Sequence, residues 1–168
     1  MKLLNVILLF LLVSCGLPKQ DLQDPRESTA SSSELSNYVH DFEDSYFTYT
    51  NRNLIVQTPI HFSNRIYNYK DSNGNAPAGI CLKWIKGNEY ITEILIRESL
   101  WNVLSENSKT VLIFHELGHC ELNKKHNSSK IKGIPLSIMN PYIIGSYYFS
   151  KYREEYLREF FLGESWTP

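Results

Sequence analysis

Hydrophobic and polar positions divide the chain into a short apolar leader, a polar stretch, and a region where helical and strand periodicities alternate. Residues 16–36 are rich in Ser, Gln, Asp and Pro and include the run STASSS. Such a segment buries too little apolar surface to fold and reads as a flexible tether. From residue 34 to 47, Leu35, Tyr38, Val39, Phe42 and Tyr46 recur at helical spacing after Ser33, a good N-cap, which predicts a first helix.

Residues 53–62 mix β-branched side chains with Pro59, which predicts a strand that ends or bends at the proline. Asn73-Gly74 and Pro77 mark a turn, and the apolar run 80–85 predicts a strand after it. Gly87-Asn88 then turns the chain into a further predicted strand, 90–97. A helix capped by Ser105 or Ser108 should run through TVLIFHELGHCEL to about Leu122. A last amphipathic segment, 147–162, should stop at Gly163. No internal repeat interrupts this order. The expected fold class is α+β: a twisted mixed sheet backed by the first helix and the helix of His115, with the last helix below the site.

At 168 residues and 42% hydrophobic composition, the chain can fill one core and not two. The formal net charge of −1 offers no field to hold nucleic acid, and nothing suggests more than a monomer.

The leader changes the picture of where the chain resides. Lys2 is followed by an apolar run to Val13, far short of the roughly 20 residues that span a bilayer, so it reads as a cleaved signal peptide. Leu12-Val13-Ser14-Cys15 resembles the lipobox of bacterial lipoproteins. The resemblance implies removal of residues 1–14, acylation of Cys15, and an exported protein held to the cell envelope, with the outer membrane as the expected address. Residues 15–33 would then be the lipidated tether and 34–168 the domain. Outside the cytoplasm Cys81 and Cys120 are candidates for a disulfide, with two buried thiols as the other reading.

The candidate chemistry lies in His115-Glu116-Leu117-Gly118-His119, an H-E-x-x-H sequence within the predicted helix. Positions i and i+4 share a helix face, so one cation can bind both imidazoles while Glu116 is offset toward a water. A third histidine, His126, and the segment SIMNP at 137–141 follow.

Together these residues resemble the metzincin branch of the zincin metallopeptidases, whose motif H-E-x-x-H-x-x-G-x-x-H precedes a methionine-containing turn. The chain is similar also to small bacterial lipoproteins with an FHELGHC-type helix. The resemblance implies Zn2+ on His115, His119 and His126, Glu116 as general base, and Met139 as an apolar floor below the metal. Two departures stand out. The family's last histidine position is Lys125, with His126 one residue later, and its helix-breaking glycine is replaced by Leu122 followed by Asn123. Asparagine tolerates left-handed backbone, so a break at Asn123 would return His126 to the metal.

Glu154 or Glu155 is the alternative third ligand, supplied from a later helix, whereas Glu121 should point away from the ligand face. Tyr142 is a candidate oxyanion stabiliser, one residue out of the family's register. His40 and His61 have no comparable spacing. The expected function is a zinc-dependent peptidase acting on a peptide or protein substrate, which would align on strand 90–97 as a sheet edge. The alternatives are a non-catalytic zinc-binding envelope lipoprotein and an amidase acting on cell-wall peptides.

Overall fold

The computed structural model describes residues 33–70 and 73–168. The leader, Cys15 and nearly all of the tether lie outside these residues. Among the described residues no helix is long and apolar enough to cross a membrane.

Among the described residues five α-helices and two small sheets form an α+β arrangement. The main sheet has strands β1 (Ile60–Phe62), β2 (Gly79–Lys86) and β3 (Glu89–Ile96), in the order β1-β3-β2. β2 and β3 form an antiparallel hairpin across Gly87-Asn88, and β1 lies parallel to β3 on its other side. Gly87 takes φ 64°, the left-handed conformation that a tight turn asks of glycine.

Two expectations are corrected here. Only the end of the segment 53–62 is strand, and Pro59 precedes β1 instead of ending it. Side chains satisfy the amides that a longer ladder would have used: Val56 donates to Glu43 Oε1 at 2.8 Å, and Gln57 and Thr58 donate to Glu121 Oε1 at 3.2 and 2.9 Å. The strand predicted over 90–97 is central, because β1 occupies its second side; Ile94 donates to the Pro59 carbonyl at 2.8 Å. The edge next to the site is therefore β2.

Helix α1 (Ser33–Thr50) buries Leu35, Val39 and Phe42 and runs three residues past the expected end. After the short α2 (Glu98–Trp101), α3 (Glu106–Cys120) opens with the Ser105 side chain accepting from the Ser108 amide. Val111 to Phe114 and Leu117 are all buried, as befits a helix covered on nearly every side. β2 and β3 lie on one side of α3. α1 packs on α3 and α5, not on the sheet as expected, and α4 packs on α3.

Phe42, Phe114 and Phe160 meet in this helical layer at ring-centroid separations of 5.2 to 6.2 Å. Each such fully buried ring contributes on the order of 2–3 kcal/mol of hydrophobic stabilisation. The layer holds α3 rigidly, and α3 carries the histidines.

Past α3, strands β4 (Lys130–Ile131) and β5 (Ile134–Pro135) make a minimal hairpin. The segment expected over 147–162 is two helices, α4 (Ser146–Lys151) and α5 (Arg153–Leu162). Tyr152 leaves helical geometry between them, with its ring against Trp166. Gly163 caps α5 in the left-handed conformation, as the sequence indicates.

Candidate metal centre

Three imidazoles converge at the C-terminal end of α3. His115 and His119, one turn apart, bring their Nε2 atoms to 3.1 Å, and His126 Nε2 lies 3.2 and 3.1 Å from them. The three nitrogens are close enough together to bind one metal ion.

The tautomers explain why a cation suits the place. His115 Nδ1 donates to the Ile138 carbonyl at 2.8 Å, and His119 Nδ1 donates to the Lys124 carbonyl at 2.7 Å. Each neutral ring carries one proton, so those bonds leave both Nε2 atoms as bare lone pairs facing each other. Two acceptors cannot bond one another, whereas a cation between them satisfies both. The same carbonyl bonds orient the rings, as outer-shell partners of metal-binding histidines do. Burial pushes the His115 pKa down to about 4 and lowers that of His119, which keeps both rings neutral and ready to ligate.

His126 arrives through the turn that ends the helix. Glu121 still donates to the Leu117 carbonyl, Asn123 turns left-handed at φ 51°, and Lys124 donates to the Gly118 carbonyl at 2.8 Å. This bond reaches one residue further back than the usual 6→1 closure of a helix end, with asparagine in the left-handed place that glycine commonly holds. One additional residue before the break brings His126, not Lys125, to the centre. The glutamates weighed as third ligand are used elsewhere. Glu154 accepts from the Tyr49 hydroxyl at 2.6 Å and neighbours Arg158, and neither it nor Glu155 joins the cluster. Glu121 faces residues 57 and 58, away from the histidines.

Glu116 lies beside the histidines at 5% exposure and lines the same cleft. Burial pushes its carboxyl up to about 8, partly offset by a hydrogen bond from the Cys81 backbone N–H. Its position depends on Gly79, the first residue of β2: a Cβ there would stand 2.9 Å from both Cγ and Oε1 of Glu116. No local signal in the sequence marks this close approach between a strand and a helix distant in sequence.

Met139 is buried with its Sδ against Gly118, where a Cβ would come within 2.7 Å. The glycine inside the motif thus makes room for the methionine. Tyr142 is 76% exposed and does not line the cleft, so the structure gives no support to a role on the oxyanion. Its backbone amide donates to Asn140 Oδ1. His40 and His61 lie outside the cluster, and His61 sits 3.5 Å from Glu93.

A disulfide joins Cys81 of β2 to Cys120, the last residue of α3. It fixes the edge strand to the helix beside both Glu116 and His119. The resulting cleft, about 520 Å³, runs between β2, α3 and the segment after Met139. Compared with protein-family models, with curated proteins and with solved structures, the chain finds no match in any of the three.

Proposed function

We propose that the protein is a zinc-dependent peptidase of zincin type, exported and held to the cell envelope by a lipid on Cys15. The observation that carries this reading is the buried Glu116 carboxyl beside three converging imidazole nitrogens at the floor of an open cleft. Nitrogen separations of 3.1–3.2 Å suit zinc, since metal–nitrogen bonds of about 2.0–2.1 Å in a tetrahedron set ligands about 3.3 Å apart. Three protein ligands leave the fourth position to water or substrate, the arrangement typical of catalytic and not structural sites. A structural site has no use for a desolvated glutamate within its cleft.

Zinc held there would supply a water of lowered pKa and polarise a substrate carbonyl. His115, His119 and His126 would hold the ion, the first two through rings fixed by the Ile138 and Lys124 carbonyls. Glu116 takes the proton from the attacking water and passes it to the departing amine, as general base and then general acid. The Cys81 N–H steadies the carboxylate form between those transfers. The free edge of β2 aligns an extended peptide by main-chain hydrogen bonds.

Elemental analysis should find one zinc per chain in the parent and a large loss in His126→Ala. Digestion of a mixed peptide library, with products sequenced by mass spectrometry, should yield cleavage by the parent and none by a zinc-loaded Glu116→Gln variant. Unaltered cleavage by that variant would overturn the role of Glu116. Stoichiometric zinc without cleavage would leave a metal-binding envelope protein.

A further inference from the structure

The cleft differs on the two sides of its histidines. β2 runs alongside α3 in the same direction: Gly79 touches Leu112 and Glu116, Cys81 bonds Cys120, and Lys83 reaches Asn123 beyond the helix end. The arm around the earlier part of α3 is apolar, lined by Pro77, Ala78, Val111, Leu112, Pro141 and Ile143. The other arm is lined by Lys83, Asn123 and Lys124.

Charge separates the arms further. Among the described residues the only carboxylate lining the cleft is Glu116, which is buried and belongs to the centre. Between Glu121 and Glu154 the chain carries no carboxylate, and of the six lysines and arginines in that stretch Lys124 lines the cleft. Lys124 places its ammonium over the Phe160 ring at 5.2 Å and faces Glu159, so part of its charge is used internally. Lys83 is exposed, and its Nζ donates to the Asn123 amide oxygen at 3.2 Å. A neutral acceptor positions that ammonium without neutralising it, and an ammonium has two further protons to donate.

Resting on the peptidase reading above, we infer that the cleft selects peptides with an aspartate or glutamate shortly before the scissile bond and an apolar residue after it, Lys83 being the residue that recognises the acid. The direction follows from strand pairing. A peptide laid antiparallel on the free edge of β2, the more stable pairing, passes Lys83 first and Gly79 last. Its N-terminal side therefore meets the basic arm and its C-terminal side the apolar one. Lys83 is two residues from Cys81, so the two face the same side of the strand about 7 Å apart. That spacing puts the acidic residue within about three positions of the bond.

The test uses the full chain loaded with zinc and carrying Glu116→Gln, so that peptides bind without turnover. Fluorescein-labelled hexapeptides share a central leucine and differ only in the preceding residues, which are Glu, Gln or Lys; affinity is read by anisotropy. The Glu peptide should bind about tenfold tighter than the Gln peptide, and the gap should shrink as salt is raised. Adding Lys83→Glu should abolish the preference and favour the Lys peptide, while Lys83→Arg should retain it. Metal content and circular dichroism of each variant establish that the centre is intact. Equal binding of the Glu and Gln peptides, or a preference that survives Lys83→Glu, overturns the proposal. A parent that retains the preference but cleaves none of these peptides supports acidic recognition and counts against the peptidase reading alone.

Discussion

Gly79 and Glu116 are in contact across the boundary between sheet and helix, and a single methyl group on the glycine would stand 2.9 Å from the glutamate's Oε1. Such a methyl would push the carboxyl aside, because Leu112 Cδ1 closes the same space at 3.0 Å. The base candidate is therefore positioned by the absence of a side chain on the opposing strand.

Gly79→Ala should lower peptide hydrolysis at least tenfold while zinc content stays near one per chain. Overpacking of this kind costs about 1–3 kcal/mol of stability, enough to measure by denaturant titration without unfolding the protein. Full activity with an unchanged denaturation midpoint would show that the carboxyl does not act from this position.

The third histidine depends on the left-handed residue at 123. Asn123→Gly retains that conformation, so zinc affinity should be preserved. Asn123→Val places a β-branched residue at φ 51°, at a cost of at least about 1–2 kcal/mol, and should weaken zinc binding roughly tenfold or more. Competition with a chromophoric chelator measures both, and equal affinities would mean that His126 reaches the metal by another route.

Chelation exposes a pH dependence whose sign is set by two groups. In the folded metal-free protein Glu116 keeps its proton to about pH 8, against 4.5 for an ordinary glutamate, so its contribution is full below 4.5 and lost as pH rises through 8. His115, lowered from 6.5 to about 4, contributes stability present above 6.5 and lost as pH falls toward 4; His119 is shifted in the same direction. The two tendencies oppose each other at acid pH, and from 6.5 to 8 the glutamate alone acts. Stability of the apoprotein should fall across that window by up to about 1.4 kcal/mol per pH unit. Glu116→Gln should remove the fall, and urea titrations at pH 6.5, 7.2 and 8 compare the two.

The bond between Cys81 and Cys120 closes a 39-residue separation. Constraint of the unfolded chain over that length contributes about 4 kcal/mol, so a Cys81→Ser, Cys120→Ser double variant should melt markedly lower. Because the bond joins β2 to the end of α3, activity should fall below what the remaining folded fraction accounts for. Melting unchanged from the parent would show that the chain is held by its apolar core alone.

Sequence determined the parts of this protein that are local. The i, i+4 spacing put His115 and His119 on one face, Ser105 set the start of α3, Gly87-Asn88 and Gly163 marked a hairpin and a helix end, and Asn123 indicated where the helix breaks, since each depends on backbone preferences within a few residues. Tertiary structure decided the rest. β3 became central because β1, distant in sequence, pairs with its second side, and the amides of 56–58 turned to carboxylates on α1 and after α3. The choice of His126 over Glu154, the Ile138 carbonyl behind His115, and the space that Gly79 leaves for Glu116 all join groups separated by tens of residues. Periodicity reports which face of an element is buried, but not which neighbour buries it, and only the packed chain brings those groups into contact.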